Sequence, residues 1–142
     1  MLIPEAYVPD LSVRMSLYRR LSTLADRKEL DAFAVELVDR FGSLPDEVKN
    51  LLQVVEIKQL CKKAGVEKID AGPKGAVVTF RNNEFANPGG LIGLIQQQLN
   101  TLKLRPDQKL VIMRPWEDPA KRLKGVTKFM GALAKLSAAG QG

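Results

Sequence analysis

The stretch from Asp26 to Gly42 reads DRKELDAFAVELVDRFG and decides the fold around it. Asp26 is a suitable N-cap, Glu29 follows it by three residues, and Gly42 suits the C-terminal end of a helix. The apolar residues recur at the spacing that lines one face of a helix, and they are Leu30, Phe33, Ala34, Leu37, Val38 and Phe41. The stretch therefore predicts a helix whose apolar stripe faces the core.

The opposite side of this helix carries charge. At about 100° per residue, Glu36, Asp39 and Arg40 fall within roughly 100° of each other, away from the stripe. Glu36 and Arg40 are four residues apart and can pair. On spacing alone the simpler interpretation is a solvated face with one weak ion pair. The alternative is a docking surface made of two acids and one arginine on a rigid helix.

Composition is that of an ordinary soluble globular domain. The chain has 142 residues, of which 45% are hydrophobic and 27% charged. No apolar run approaches the ~20 residues of a membrane span, and the first residues lack the features of a signal peptide. The single cysteine, Cys61, follows Val54 and Ile57 on a predicted helix, so an apolar filler is favoured over a nucleophile. We expect a cytoplasmic protein with no membrane partner.

The sequence offers little of the chemistry that enzymes use. There is no histidine, which is the commonest general base and the commonest metal ligand. The pair Gly89 and Gly90 precedes a helix but lacks the lysine and hydroxyl of a phosphate-binding loop. We therefore expect no catalytic residue, no cofactor and no metal site in this chain, and we do not expect it to be an enzyme.

The net charge of +6 makes nucleic acid a partner worth considering. From Pro119 onwards there is no acidic residue, whereas the basic ones are Lys121, Arg122, Lys124, Lys128 and Lys135. Phe129 is the only aromatic residue among them and belongs to the predicted core side. This basic helix face could contact phosphate, an acidic partner or nothing.

The first half of the chain reads as an arm followed by three helices. Residues 1–9 are predicted to be an extended arm held by Ile3, Tyr7 and Val8. The first helix runs from Leu11 to about Leu24, and with the second it should form a helical hairpin. A third helix begins near Pro45 and ends at Ala64, and at about 18 residues we expect it to be the longest.

The second half mixes short strands with helices. Strands are predicted at residues 66–71, 76–80 and 109–113, with a hairpin turn at residues 72–75. Helices are predicted from Pro88 to Leu99 and from Pro119 to Leu136. Because a helix crossing back from the second strand makes the third strand parallel to it, the sheet should be mixed. Trp116 is interpreted as a lid over the core rather than a ligand platform.

These patterns together define an α+β fold. We expect a single helix-rich domain over residues 10–136, with a helical hairpin, a long third helix and a small mixed three-stranded sheet. The small and polar residues 137–142 should form a frayed tail.

Three blocks of the sequence resemble a known family. IPEAYVPDLSVRMSLYRRL, ELVDRFGSLPDEVKNLL and LIGLIQQQ occur in that order, and they are similar to the C-terminal domain of bacterial transcription-repair coupling factors. The similarity extends from Ile3 to about Leu136, and ELVDRFG followed by LP is its most specific part. The resemblance implies that the chain is one part of a much larger ATP-driven translocase of double-stranded DNA.

The resemblance also implies a regulatory role. In that family the C-terminal domain docks on a UvrB-like N-terminal module of the same protein, masks the surface that UvrA binds and restrains the motor. The family residues that make this contact match Glu36, Asp39 and Arg40. Through the parent, the indirect partners would be UvrA, RNA polymerase and DNA, and the chain itself is expected to be monomeric.

A nucleic-acid-binding accessory module remains the alternative. It would use the last helix, with Lys121, Arg122, Lys124 and Lys128 as contacts to phosphate. The absence of predicted exposed aromatic residues there argues against stacking on single strands.

Overall fold

Five α-helices, one short 3₁₀ helix (Arg81–Asn83) and four strands follow one another in the computed structural model, which describes residues 2–141. The α+β class predicted from the sequence is confirmed. The elements are α1 (Leu11–Leu21), α2 (Arg27–Phe41), α3 (Asp46–Ala64), β1 (Val66–Gly72), β2 (Gly75–Phe80), α4 (Pro88–Gln97), β3 (Leu102–Leu104), β4 (Leu110–Met113) and α5 (Pro119–Gln141).

The chain divides into two compact units, the first ending at Gln59 and the second beginning at Leu60. The single domain expected over residues 10–136 stays a prediction. In the first unit, the side chains of Asp10 and Asp26 cap α1 and α2 by accepting hydrogen bonds from backbone N–H groups three residues on. Gly42 ends α2 with a φ of +92°, a backbone conformation that L side chains rarely adopt.

The core of the first unit collects the apolar faces of its helices. The fully buried residues include Leu17 from α1, Phe33 and Leu37 from α2, and Val48 from α3. Gln59 is 91% buried, and its amide donates to the carbonyl oxygens of residues 24 and 26. A buried polar side chain is tolerated there because both bonds are made.

The N-terminal arm differs from the extended prediction. The backbone N–H groups of Tyr7 and Val8 both donate to the carbonyl oxygen of Pro4, so residues 4–8 form a turn. Ile3 and Val8 are buried in the core, and the Tyr7 hydroxyl donates to the carbonyl oxygens of Leu37 and Gly42. The arm is therefore held by the predicted residues. The turn satisfies backbone groups that an extended arm without a neighbouring strand would leave unpaired.

The second unit contains a four-stranded sheet of order β1-β2-β4-β3, in which all neighbouring strands are antiparallel. The predicted hairpin between β1 and β2 is confirmed, with Gly72 opposite Gly75. The prediction of a mixed three-stranded sheet was wrong in two details. A three-residue strand, β3, follows α4 and was missed, and β4 returns beside it to pair with β2. The connection through α4 thus makes β3, not β4, run in the direction of β2.

The longest helix of the described residues is α5, with 23 residues against 19 in α3. The prediction of a frayed tail from Ser137 onwards was wrong for residues 137–141, which continue the helix. Ser137 is 1% exposed and its hydroxyl donates to the carbonyl oxygen of Lys63. Gly142 lies outside the described residues.

Trp116 is buried, as the prediction of a lid requires, at 8% exposure. It lines a small apolar space with residues of the sheet and α5, among them Val126 and Met130. Its indole lies directly against the backbone of Gly125, where an added Cβ would be 2.5 Å from the indole nitrogen. Gly125 is thus required by close packing.

Gly125→Ala should therefore destabilise the chain. Forcing a methyl group into packed surroundings costs about 1–3 kcal/mol, which exceeds the ~1 kcal/mol that alanine gains over glycine in a helix. Gly131→Ala is the matched control in the same helix, because its Cβ would meet nothing within 4 Å, and it should stabilise. Urea unfolding of both variants measures the difference. Equal stabilisation by both would show that the indole does not occupy this position.

Candidate functional site

The outer face of α2 presents the three charged residues singled out in the sequence. Asp39 and Arg40 are exposed, whereas Glu36 is half-buried at the edge that faces α1. The helix is oriented by its opposite side, where Leu30, Phe33 and Leu37 enter the core. The predicted outward placement is thus found, but the three residues have different surroundings.

Glu36 is held by two arginines. Arg20 of α1 donates through both terminal nitrogens, at 2.6 Å to Oε2 and 2.8 Å to Oε1. Arg40 donates through Nη1 to Oε2 at 2.9 Å. Hydrogen bonds from Arg20, and next from Arg40, lower the pKa of Glu36 to about 2. Both oxygens of this carboxylate are therefore occupied within the chain.

The two arginines are themselves positioned by aromatic rings. The Arg20 guanidinium lies 5.0 Å from the centroid of Phe33, and that of Arg40 lies 4.8 Å from the centroid of Phe41. Contacts of this kind favour a guanidinium over a ring face. Since Phe33 is buried, the core of the first unit fixes one side of the charged cluster.

Arg20 is the residue of this site that sequence analysis missed. It lies on the helix predicted from Leu11 to about Leu24, but that helix contains three arginines and nothing in the spacing selects one. Its partner is 16 residues away on another helix. Only the packing of α1 beside α2 identifies the pair.

Asp39 has no such partner. It is exposed, and among residues 2–141 it takes part in none of the salt bridges. Val35 and Val38 lie one helical turn or less away and are 61% and 44% exposed. Val38 was expected in the buried stripe, and that expectation was wrong. The surface therefore offers one free carboxylate beside two apolar side chains, bordered by the Glu36–Arg40 pair.

The basic residues of the last helix are separated by the structure into two groups. Lys121, Lys124 and Lys128 are exposed. Arg122 is half-buried and donates to the carbonyl oxygens of Trp116, at 3.0 Å, and Glu117, at 3.4 Å. Arg122 thus anchors the loop before α5, and its guanidinium is already used.

The structure also places Cys61 and the glycine pair before α4, which were considered in the sequence. Cys61 is half-buried, and burial raises the pKa of its thiol. Asn87 caps α4 by accepting from the backbone N–H of Gly90.

Within residues 2–141, no cluster of three or more histidine, cysteine or carboxylate side chains could hold a metal ion. The described helices include none with the length and apolarity needed to cross a bilayer.

Comparison with known proteins gives one consistent result. The family model described as "TRCF domain" matches residues 1–91. The chain is 34% identical over 132 residues to the transcription-repair-coupling factor of Escherichia coli, covering 93% of this chain and 12% of that protein. It is 36% identical over 133 residues to that of Haemophilus influenzae, covering 94% and 12%. The chain thus spans about one eighth of the length of these relatives.

A solved structure shares the fold. It is described as the crystal structure of the C-terminal domain of transcription-repair coupling factor. It matches with a TM-score of 0.77 at 17% identity, covering 97% of this chain and 89% of that one. The solved structure and this chain therefore have the same α+β fold. The chain belongs to the TRCF domain family, and the resemblance to the C-terminal domain of a transcription-repair coupling factor is confirmed.

The charge of Glu36 should contribute to stability in a defined pH range. Because its pKa is lowered on folding, the contribution is present above the ordinary value near 4.5 and is lost as the pH falls towards 2. Glu36→Gln should cost about 0.5–1 kcal/mol at pH 7, a small value because the side chain is partly solvated. Urea unfolding should show that the free energies of unfolding of Glu36→Gln and of the parent sequence differ at pH 7 and converge as the pH is lowered to 2. Glu67→Gln in β1, an exposed control, should show little difference throughout, and a pH-independent gap for Glu36→Gln would contradict the assignment.

Proposed function

We propose that this chain is a non-catalytic regulatory domain of a transcription-coupled DNA repair translocase. It would dock on the UvrB-like N-terminal module of the same protein and mask that module's UvrA-binding surface. The indirect partners, reached through the parent, would be UvrA, RNA polymerase and double-stranded DNA. The setting would be the cytoplasm, and the motor would lie outside this chain.

This proposal rests on one observation, the free surface at the centre of the outer face of α2. Asp39 projects there without an ion-pair partner in the part of the chain that the structure describes, next to exposed Val35 and Val38. The family resemblance assigns the interdomain contact to the same segment, at Glu36, Asp39 and Arg40. An exposed carboxylate beside apolar side chains suits a partner surface that carries an arginine or lysine next to an apolar group.

The three residues would have different roles in the contact. Asp39 would receive the partner's cation directly, because it takes part in none of the salt bridges among residues 2–141. Glu36 would act mainly on Arg40, whose guanidinium it fixes at 2.9 Å. Arg20 would be a positioning residue, since its two bonds hold Glu36 in place. Charge pairs of this kind set register and specificity more than raw affinity.

Weak docking would be sufficient for such a clamp. Tethering within one protein gives an effective concentration on the order of 1 mM. A contact with a dissociation constant near 0.1 mM would then be closed about ten to one, and opening it would cost only ~1.4 kcal/mol. A small charged surface can therefore hold a resting state and still be released by a conformational change in the parent.

The proposal predicts an interaction in trans. Calorimetric titration of this chain into the separated N-terminal module, at ~100 mM salt, should give a dissociation constant between micromolar and sub-millimolar. Asp39→Asn should weaken it about ten-fold or more, because the partner's cation loses its counter-charge. The triple alanine variant of Glu36, Asp39 and Arg40 should abolish it.

Two controls make this titration decisive. Glu47→Gln removes the same charge from α3 and should leave binding unchanged. Arg20→Ala should weaken binding less than Asp39→Asn, because it acts only through Glu36. Wild-type affinity in the triple variant, with the fold intact by circular dichroism, would refute this docking surface. In the parent, the triple variant should bind UvrA more tightly.

A further inference from the structure

Four lysines of α5 form a single row. Lys121, Lys124, Lys128 and Lys135 are spaced by three, four and seven residues. At about 100° per residue they fall within roughly 60° of each other. With a rise of about 1.5 Å per residue, the row extends over roughly 21 Å of helix. All four side chains are exposed, and we call them the lysine row.

Nothing in the described structure neutralises the lysine row. No acidic residue occurs in α5, and none of the salt bridges within residues 2–141 includes one of these lysines. The residues that share this face are small, such as Ala132 between Lys128 and Lys135, and Ala139 one turn after Lys135. A flat, charged partner can therefore approach the helix closely along its length.

The second unit as a whole is also positively charged. Residues 60–142 contain 14 lysines and arginines against 6 acidic residues, a net charge of +8. Residues 1–59 contain 8 against 10, a net charge of −2. The second unit thus carries the entire positive excess of the chain, and its field favours an anionic partner.

We propose that the lysine row binds the backbone phosphates of a double-stranded nucleic acid without reading its sequence. Phosphates repeat at regular, short intervals along a duplex, so several lysines of a straight row can be engaged together. This contact does not depend on the docking surface of α2 and lies on the other unit.

Other anionic partners fit the described residues less well. Single strands are bound by stacking bases on aromatic rings, but the aromatic side chains of residues 60–141 are all at most 9% exposed. A membrane surface needs exposed apolar side chains beside the lysines, and none of the exposed large hydrophobic residues belongs to α5. A protein partner usually requires an aromatic or apolar anchor, which the row also lacks.

The test is the binding of the 142-residue chain to a fluorescein-labelled 24-base-pair DNA duplex of mixed sequence, followed by anisotropy. At ~30 mM salt we expect a dissociation constant on the order of 0.1 mM or tighter, rising steeply with salt. The logarithmic slope should approach −3 to −4 if each lysine neutralises about one phosphate. Replacing all four lysines of the row by glutamine should weaken binding at least ten-fold and remove most of the slope.

A charge-matched variant separates the row from diffuse attraction. Lys49, Lys58, Lys62 and Lys63 of α3 are also exposed, and their replacement by glutamine removes the same net charge. This control should bind within about three-fold of the parent chain, because its lysines are not in the row. The double variant Lys121→Gln with Lys128→Gln should lower the slope by about 2 and covers the case in which the fourfold variant fails to fold.

Three results would overturn the proposal. The first is full binding by the row variants, and the second is equal loss in the α3 control, which would indicate diffuse charge only. The third is preference for polyglutamate or for a single strand over the duplex at equal salt, which would assign the row to an acidic protein or to unpaired bases.

Discussion

The buried stripe of α2 is the constraint on which the candidate site depends. Phe33 and Leu37 are 2% and 1% exposed, and burying side chains of this size is worth about 1.5–3 kcal/mol each. Rotation of the helix would expose them, so the orientation of α2 is fixed. That orientation places Asp39 and Val35 in solvent and brings Glu36 to the edge where Arg20 reaches it. The geometry of the charged face of α2 therefore follows from the burial of its apolar face.

The same stripe also positions the cluster around Glu36, although that cluster is partly solvated. Exposed ion pairs usually contribute little, because two long side chains must be held in one geometry. Here the guanidinium of Arg20 lies over Phe33, whose ring the core already immobilises. Both arginines thus lose less freedom in binding the carboxylate than free surface side chains would. The result is a border of paired charges beside Asp39, which takes part in none of the salt bridges among residues 2–141.

The two units differ in charge, and their surfaces suit different partners. The first unit is slightly acidic and offers a carboxylate beside two valines, whereas the second is strongly basic and offers a straight row of lysines. A domain with both could contact a protein module through one surface and an anionic polymer through the other. These contacts would respond differently to salt, because only the lysine row depends on displaced counterions.

Much of the fold could be predicted because its elements are long and periodic or bounded by glycine and proline. The second helix, the hairpin at residues 72–75 and the capping aspartates are local features, set by residues a few positions apart. The sequence also identified the outward position of Asp39 and Arg40 from helical spacing. The family resemblance marked the same segment, which composition and charge by themselves did not distinguish from a solvated face.

What the sequence could not determine are features that depend on partners distant along the chain. The strand β3 has three residues, too few to show a period, and its existence depends on pairing with β4. The tail residues 137–141 are small or polar, which suggested a frayed end. Ser137 is nevertheless buried, and its hydroxyl donates to the carbonyl oxygen of Lys63. The bond from Arg20 to Glu36 and the exposure of Val38 likewise depend on how α1 lies against α2. The sequence by itself determined the helices, the fold class and the charged segment, since these follow from local spacing. Only the tertiary structure decided which acid is paired and which is free, because that depends on distances between helices.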